Sequence, residues 1–354
     1  MVSFSASIKM NPLGLLLALI CVTSTIFYFR NMIRESRPIK RLSSLASRLK
    51  SQGYNVVGLQ SNDISMKELL VAAIEVAKRG GIKVKQVRES NNLQEQSKGE
   101  TAEGVNDPLT EGDLLSHQQM YYSFKNTWPD VAVVSEESGT SKVVDTAAVD
   151  QLETDGIESK LSDKMDIYVP KSDIMIWIDP LDATKEYTEN LRQYVTTMVC
   201  VAVGGKAVIG VIHKPFLGET FWAWYQHGHN IPQKTDGMLH KSPRIIVSRS
   251  HAGTVNETAR KAFGEDVRVV AAGGAGYKVI ELAKGNVDVY LHSTKIKKWD
   301  ICAGNAILTS LGGKMTSLKG ADIAYDKKED VVLTDGLLAT MADHEKYFKE
   351  LKSQ

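Results

Sequence analysis

Acidic side chains recur in this chain where regular structure is about to start or stop. Asp179 and Asp182 flank Pro180-Leu181, directly after the apolar run Ile174 to Ile178, and Thr184 follows two residues on. Glu136, with Glu137 beside it, follows the apolar Val131 to Val134. Asp300 comes after Trp299 at the head of a helical pattern, and Asp113 lies in Thr110-Glu111-Gly112-Asp113 at the head of another. Each has an ordinary explanation alone. Asp and Pro form turns, Asp113 and Asp300 suit helix N-caps, and Glu136 is a loop acid. Together they suggest a fold that brings strand ends and a helix N-terminus to one sheet edge. Carboxylates that close repel one another unless cations neutralise them. Hard oxygen donors of this kind suit Mg²⁺, and the repulsion points to two or three such ions.

The elements that must position these groups follow from pattern. Pro180 holds Asp179 extended and is expected to stop the strand there. Ser65-Met66-Lys67-Glu68 has capping-box spacing and opens a helix through Leu69 to Ala77, which Gly80-Gly81 is expected to end. Ile82 to Val87 alternates like a strand, and polar residues 89–112 read as a mobile loop. A second helix is expected over Asp113 to Trp128, with Leu114, Leu115, Met120, Tyr121 and Phe124 on its apolar side. Residues 140–172 read as an acidic insertion on the rim. Val195 to Val203 and Ala207 to His213 form a hairpin across Gly204-Gly205, with Thr220 to Tyr225 as a third strand. Strands at Arg244 to Val247, Val267 to Ala271 and Val287 to Leu291 alternate with helices over Gly253 to Phe263 and Tyr277 to Lys284. A last helix runs from Asp300 to Leu311. Hairpins mixed with strand–helix units indicate an α+β layered fold. Phe221, Trp222, Trp224 and Tyr225 are assigned to the core or a subunit interface.

The 354 residues are 43% hydrophobic, ample for a large core. A net charge of +1, with no basic helix or zinc spacing, gives no sign of a nucleic-acid polymer as partner. Cys21, Cys200 and Cys302 make no disulfide framework, and the last two fall in apolar patterns as core residues. Leu13 to Phe29 carries no charge and is near the ~17-residue lower limit for a membrane span. The chain therefore divides into a short tail (1–12), a transmembrane signal anchor (13–29), a polar stalk (30–60) and one large domain (61–354). Arg30, Arg34, Arg37, Lys40 and Arg41 follow the span and favour a cytosolic domain. Asn256-Glu257-Thr258, a glycosylation sequon, points weakly to a lumen.

Asp179-Pro180-Leu181-Asp182-Ala183-Thr184 and Trp299-Asp300-Ile301-Cys302-Ala303-Gly304 form a specific pair of motifs. Through them the chain resembles the lithium-sensitive, magnesium-dependent phosphatases of the inositol monophosphatase superfamily, over residues 62–350. Ala183 departs mildly from the glycine or serine usual there. The resemblance implies a layered αβαβα sandwich and a homodimer. It assigns Mg²⁺ binding to Glu136, Asp179, the backbone carbonyl of Leu181, Asp182 and Asp300. It assigns the orientation and deprotonation of an attacking water to Thr184 and Asp113. A threonine hydroxyl is no base by itself, so Asp113 takes the proton and Thr184 relays it. Glu137 is the neighbouring alternative to Glu136.

Within the superfamily, Val87-Arg88-Glu89-Ser90, Val211-Ile212-His213-Lys214-Pro215, Val247-Ser248-Arg249-Ser250-His251 and Gly273-Gly274-Ala275-Gly276-Tyr277-Lys278 resemble a membrane-anchored nucleotidase branch. That resemblance implies removal of the 3′-phosphate of 3′-phosphoadenosine 5′-phosphate, in the Golgi lumen, by a single-pass type II protein. The nucleotide would sit against Ser248, His251, Gly274 and Lys278. A glycine run opening a helix offers amides to phosphate, and Lys278 adds a charge for the 5′-phosphate. Lys298 and Trp299 would shape the site. The rivals are an inositol monophosphatase and an inactive membrane scaffold of the same fold, which would have lost a metal ligand or Thr184.

Overall fold

The computed structural model describes residues 62–100, 104–138, 149, 152, 166–232, 242–250, 254–326 and 328–353. The predicted anchor and stalk, His251 and most of the acidic insertion lie outside these. Among the described residues no helix is long and apolar enough to cross a membrane.

The first helix, α1 (Met66–Glu89), starts on Ser65, whose Oγ accepts the Glu68 amide at 3.0 Å. It runs straight through Gly80-Gly81 and absorbs the expected strand at Ile82 to Val87. Glycine weakens a helix but does not end one when packing holds both sides. Here a Cβ on Gly80 would meet Ser116 Oγ at 2.6 Å, and one on Gly81 would meet His213 Cδ2 at 2.5 Å. The expected mobile loop contains a hairpin, β1 (Gln96–Glu100) and β2 (Asn106–Leu109). Strand β1 is exposed throughout, so no apolar alternation marks it. Helix α2 (Glu111–Thr127) follows.

Next come β3 (Ala132–Ser135), β4 (Ile174–Asp182), the short α3 (Thr184–Thr188), β5 (Thr196–Val203), β6 (Lys206–Lys214), β7 (Glu219–Trp224) and β8 (Gly228–His229). The strands form one sheet in the order β8-β7-β6-β5-β4-β3, with β3 and β4 parallel and the other pairs antiparallel. The chain then gives β9 (Arg244–Ser248), α4 (Val255–Phe263), β10 (Arg268–Ala272), α5 (Ala275–Ala283), β11 (Val289–His292), α6 (Lys298–Ser310), β12 (Lys314–Ser317), β13 (Leu337–Thr340) and α7 (His344–Lys352). Their strands make a second sheet, β10-β9-β11-β13-β12, parallel at its first three strands.

Three apolar clusters fix the layers. Leu69, Leu70, Met120 and Phe124 of α1 and α2 pack on Ile176, Ile178 and Val199 of the first sheet. Its other face meets α5, α6 and the second sheet through Trp177, Val279, Ile301 and Tyr290. Val255, Ala259 and Tyr347 of α4 and α7 cover the far side of the second sheet. The order is helix, sheet, helix, sheet, helix, as the resemblance implied. Phe221 and Trp224 are core residues, and Tyr225 is exposed.

Cys200 on β5 and Cys302 on α6 are buried core residues, as expected, but they are joined in a disulfide. Their separation of 102 residues gave no spacing signal for the pair.

Candidate active site

The strand expected to stop at Asp179 continues to Asp182. Asp179 faces Met198 and Asp182 faces Thr196, so β4 carries one more residue than β5 across this stretch. Such a bulge tolerates Pro180, which has no amide to give to the ladder. Ser116 of α2 donates to the Pro180 carbonyl at 2.6 Å, and the Leu181 amide donates to Asp179 Oδ1 at 3.1 Å. The chain leaves the bulge through Ala183, at φ 70° and ψ 45°. Glycine adopts that left-handed conformation freely, whereas alanine there is strained by about 1–2 kcal/mol. The departure from the family motif therefore has a physical cost at the site itself.

Thr184 Oγ1 lies 3.1 Å from Asp113 Oδ1 and 3.1 Å from the Leu181 carbonyl. Its single proton serves one of these acceptors at a time. When it donates to Asp113, its lone pairs are left for an incoming water. Asp113 is the third residue of α2, not its N-cap. Thr110 is the cap, and its amide and hydroxyl donate to Asp113 Oδ2 at 2.7 and 2.6 Å. This leaves Asp113 Oδ1 facing Thr184. Burial pushes the Asp113 carboxyl up to about 6, closer to the range where a base works at neutral pH.

Asp300 also lies one turn into its helix, α6, where it accepts the Lys297 amide at 3.2 Å. Asp182 is held by three donors, the Ala275 amide at 3.0 Å, the Gly276 amide at 2.8 Å and Thr196 Oγ1 at 3.0 Å. The first amides of α5, expected to face a phosphate, therefore face a carboxylate. Gly274 is required where it stands. Its φ is +67°, and a Cβ would meet the Tyr194 carbonyl at 2.7 Å and Asp182 Oδ2 at 2.9 Å. Lys278 is buried and donates to the Gly274 carbonyl at 2.6 Å. Burial lowers it to about 8, while Asp182, Glu186 and Asp300 favour its charge. Ser248 ends β9 beside Ala272, at the strand end that leads into the Gly273-Gly274 turn. Ser248, Gly274 and Lys278 thus share one end of the second sheet.

Glu136 follows β3, and its amide donates to the Ile178 carbonyl at 3.3 Å. Lys98 of β1, which sequence reasoning missed, pairs with Glu136 at 2.9 Å and also with Glu137. Burial works against the Lys98 charge, but the two glutamates outweigh it and hold the ammonium above the usual lysine range. Glu137 is the more buried of the two. Glu136 is the one whose charge acts strongly on both Asp179 and Asp300, which favours it over Glu137 as a member of the cluster.

Burial, then the charges of Glu136, Asp182 and Asp300, drives the Asp179 carboxyl well above its usual range. Asp300 is driven up by burial, Glu136 and Asp182, and Asp182 by burial. Among the described residues, these side chains do not converge as a closed ligand cage. Their chemistry still fits a hard divalent cation. All are oxygen donors, and they disfavour one another's charge in a way that cations would relieve.

This sets the pH dependence of the metal-free chain. Asp113 at about 6 and Glu137 at about 7, both raised by burial, keep protons in the folded chain where the unfolded chain has lost them. Asp179 and Asp300 act in the same direction. Stability is therefore gained as pH falls through these folded values. His117 and His213, each lowered by burial to about 4, act oppositely, but only below about 6.5, and Lys278, lowered to about 8, opposes the gain only near pH 8 and above. In EDTA, the melting temperature is expected to rise from about pH 8 to about pH 6.5, by about 2–4 °C per kcal/mol gained. Saturating Mg²⁺ is expected to flatten that rise. A metal-free chain that melts lower at the acid end would contradict the picture of a crowded carboxylate site.

Comparison with known proteins agrees with this geometry. Residues 65–354 match the model of the inositol monophosphatase family. Inositol monophosphatase 3 of Xenopus tropicalis is 48% identical over 294 residues, 81% of each chain. The Golgi-resident adenosine 3′,5′-bisphosphate 3′-phosphatase of Mus musculus is 41% identical over 340 residues, 94% of this chain and 93% of its own. The inositol monophosphatase structure from Anabaena superposes with a TM-score of 0.56 at 19% identity, over 81% of this chain and 96% of its own, which supports the fold. The chain belongs to the inositol monophosphatase family, as a hydrolase of phosphate esters.

Proposed function

We propose that the chain hydrolyses the 3′-phosphate of 3′-phosphoadenosine 5′-phosphate, giving AMP and phosphate, with Mg²⁺ as cofactor. The observation that carries the hydrolytic part is the Thr184–Asp113 pair beside the β4 bulge. Glu136, Asp179, the Leu181 carbonyl, Asp182 and Asp300 would hold two or three ions. Bound there, Mg²⁺ supplies charge to polarise the phosphate, lower the pKa of a water and stabilise the leaving oxygen. Thr184 orients the attacking water and passes its proton to Asp113. The water oxygen forms the new P–O bond, the P–O bond to the 3′-oxygen breaks, and that oxygen takes a proton from solvent. Ser248, His251, Gly274 and Lys278 receive the nucleotide.

The bisphosphate reading draws on the residues at the end of the second sheet and on the name of the mouse relative. Inositol monophosphate is the second reading, because the Xenopus relative carries that name at similar identity. The full chain in detergent is expected to release phosphate from 3′-phosphoadenosine 5′-phosphate at least tenfold faster than from inositol 1-phosphate, and only with Mg²⁺. Preference for inositol phosphate would keep the metal site and discard the nucleotide pocket. Cleavage of neither by folded protein would favour the scaffold.

We place the domain in the Golgi lumen, anchored as a single-pass type II homodimer. The buried Cys200–Cys302 disulfide supports the lumen, because such bonds persist in oxidising compartments. The Asn256 sequon, exposed on α4, agrees with that side. Both stand against the basic residues that follow the predicted anchor. Protease protection in sealed vesicles decides the topology.

A further inference from the structure

The three donors that hold the Asp182 carboxylate are unevenly shared between its oxygens. Oδ1 accepts the Ala275 amide at 3.0 Å. Oδ2 accepts the Gly276 amide at 2.8 Å and the Thr196 hydroxyl at 3.0 Å. An ionised carboxylate offers about two acceptor positions on each oxygen. Both positions on Oδ2 are therefore taken, and Oδ1 keeps one. Backbone also closes in on Oδ2. A Cβ on Gly274 would come within 2.9 Å of it, and one on Gly276 within 3.3 Å. Thr196 opens β5 directly opposite Asp182 and is fully buried. Its one proton is spent on Oδ2.

The number of free oxygens bears on which cation the site takes. Mg²⁺ is small and demands near-octahedral geometry at short distances, which a single carboxylate oxygen can satisfy. Ca²⁺ takes about 6–8 oxygens and can draw two of them from one carboxylate. We infer that Thr196 is a positioning residue that limits Asp182 to one oxygen for the cation, Oδ1, and thereby favours Mg²⁺ over Ca²⁺. This rests on the metal-site reading proposed above. Without the hydroxyl, Oδ2 regains an acceptor position, and Asp182 can hold Ca²⁺ through both oxygens.

The test titrates the full chain in detergent by calorimetry, with Mg²⁺ alone and with Ca²⁺ alone, and measures melting in EDTA beside them. Thr196→Val keeps the branched shape and removes the hydroxyl. Its ratio of Mg²⁺ to Ca²⁺ affinity is expected to fall about tenfold, the lower end of what the loss of an outer partner does to a metal site. Thr196→Ser keeps the hydroxyl and is expected to keep the ratio of the natural chain. A hydroxyl with only a structural role would lower the melting temperature or weaken both cations by the same factor. An unchanged ratio in the valine chain therefore overturns the role of Thr196 and leaves the metal site standing. A serine chain whose ratio falls with that of the valine chain assigns the effect to packing and also overturns the inference. Should the valine chain show no melting transition in EDTA, Thr196→Ala, which needs less room beside Gly276, takes its place with the same expected and overturning results. A natural chain that binds neither cation overturns this inference together with the metal reading.

Discussion

Asp179→Asn is expected to abolish phosphate release while leaving the chain folded, and in EDTA near pH 8 more stable than before. The two effects have one cause. Asp179 is buried at the β4 bulge, where burial and four neighbouring carboxylates disfavour its charge. Asparagine keeps the shape, and its Oδ1 still accepts the Leu181 amide. It removes the charge that a cation needs and that the metal-free fold resists. Loss of an outer partner alone costs about 10–100-fold in metal affinity. Loss of a ligand's charge is expected to exceed the upper end of that range. Activity and melting temperature moving in opposite directions is the signature of a site built at the expense of stability. A variant that retains a tenth of the activity would remove Asp179 from the metal set.

Asp113→Asn is expected to lower kcat by about 10²–10⁴, with little change in Mg²⁺ affinity or substrate KM. Asparagine at this position still accepts the Thr110 amide, so the start of α2 changes by no more than about 1 kcal/mol. What it loses is the oxygen that faces Thr184, the proton acceptor proposed above. Thr184→Ser keeps the relay hydroxyl and is expected to retain most of the rate, whereas Thr184→Val is expected to match the Asp113 variant. A profile in which Thr184→Val is active and Asp113→Asn is not would make Asp113 act on the water directly. Unchanged kcat in Asp113→Asn would place the base elsewhere.

Much of this site was legible because its residues combine local signals. An Asp-Pro-Leu-Asp stretch after an apolar strand, and an acid at the head of an amphipathic helix, mark element ends by chemistry and pattern together. The chain's own backbone rules misled in two places. Pro180 ends most strands, but here a bulge supplies the one position in the ladder where no amide is needed. Gly80-Gly81 ends most helices, but here it sits in a tight contact between elements distant in sequence. Other features had no local signature. Lys98 lies on a strand exposed along its length, without alternation. The occupation of the α5 amides by Asp182, and the Cys200–Cys302 bond, depend on pairings across 93 and 102 residues.

The notch that Gly80 leaves in α1 gives the site a dependence on empty space. Glycine inside a helix is about 1 kcal/mol less favourable than alanine, so selection for helix strength alone would fill the position. Yet the missing methyl group is room that Met120 and Ser116 share, with an added Cβ pressing on Met120 Sδ and reaching 2.6 Å from Ser116 Oγ. That same hydroxyl grips the Pro180 carbonyl inside the bulge that presents Asp179 and Asp182. A position with no side chain therefore bears, through Ser116, on the seating of the strand that carries the proposed metal ligands. Improvement of α1 as a helix and improvement of the enzyme pull in opposite directions at this point.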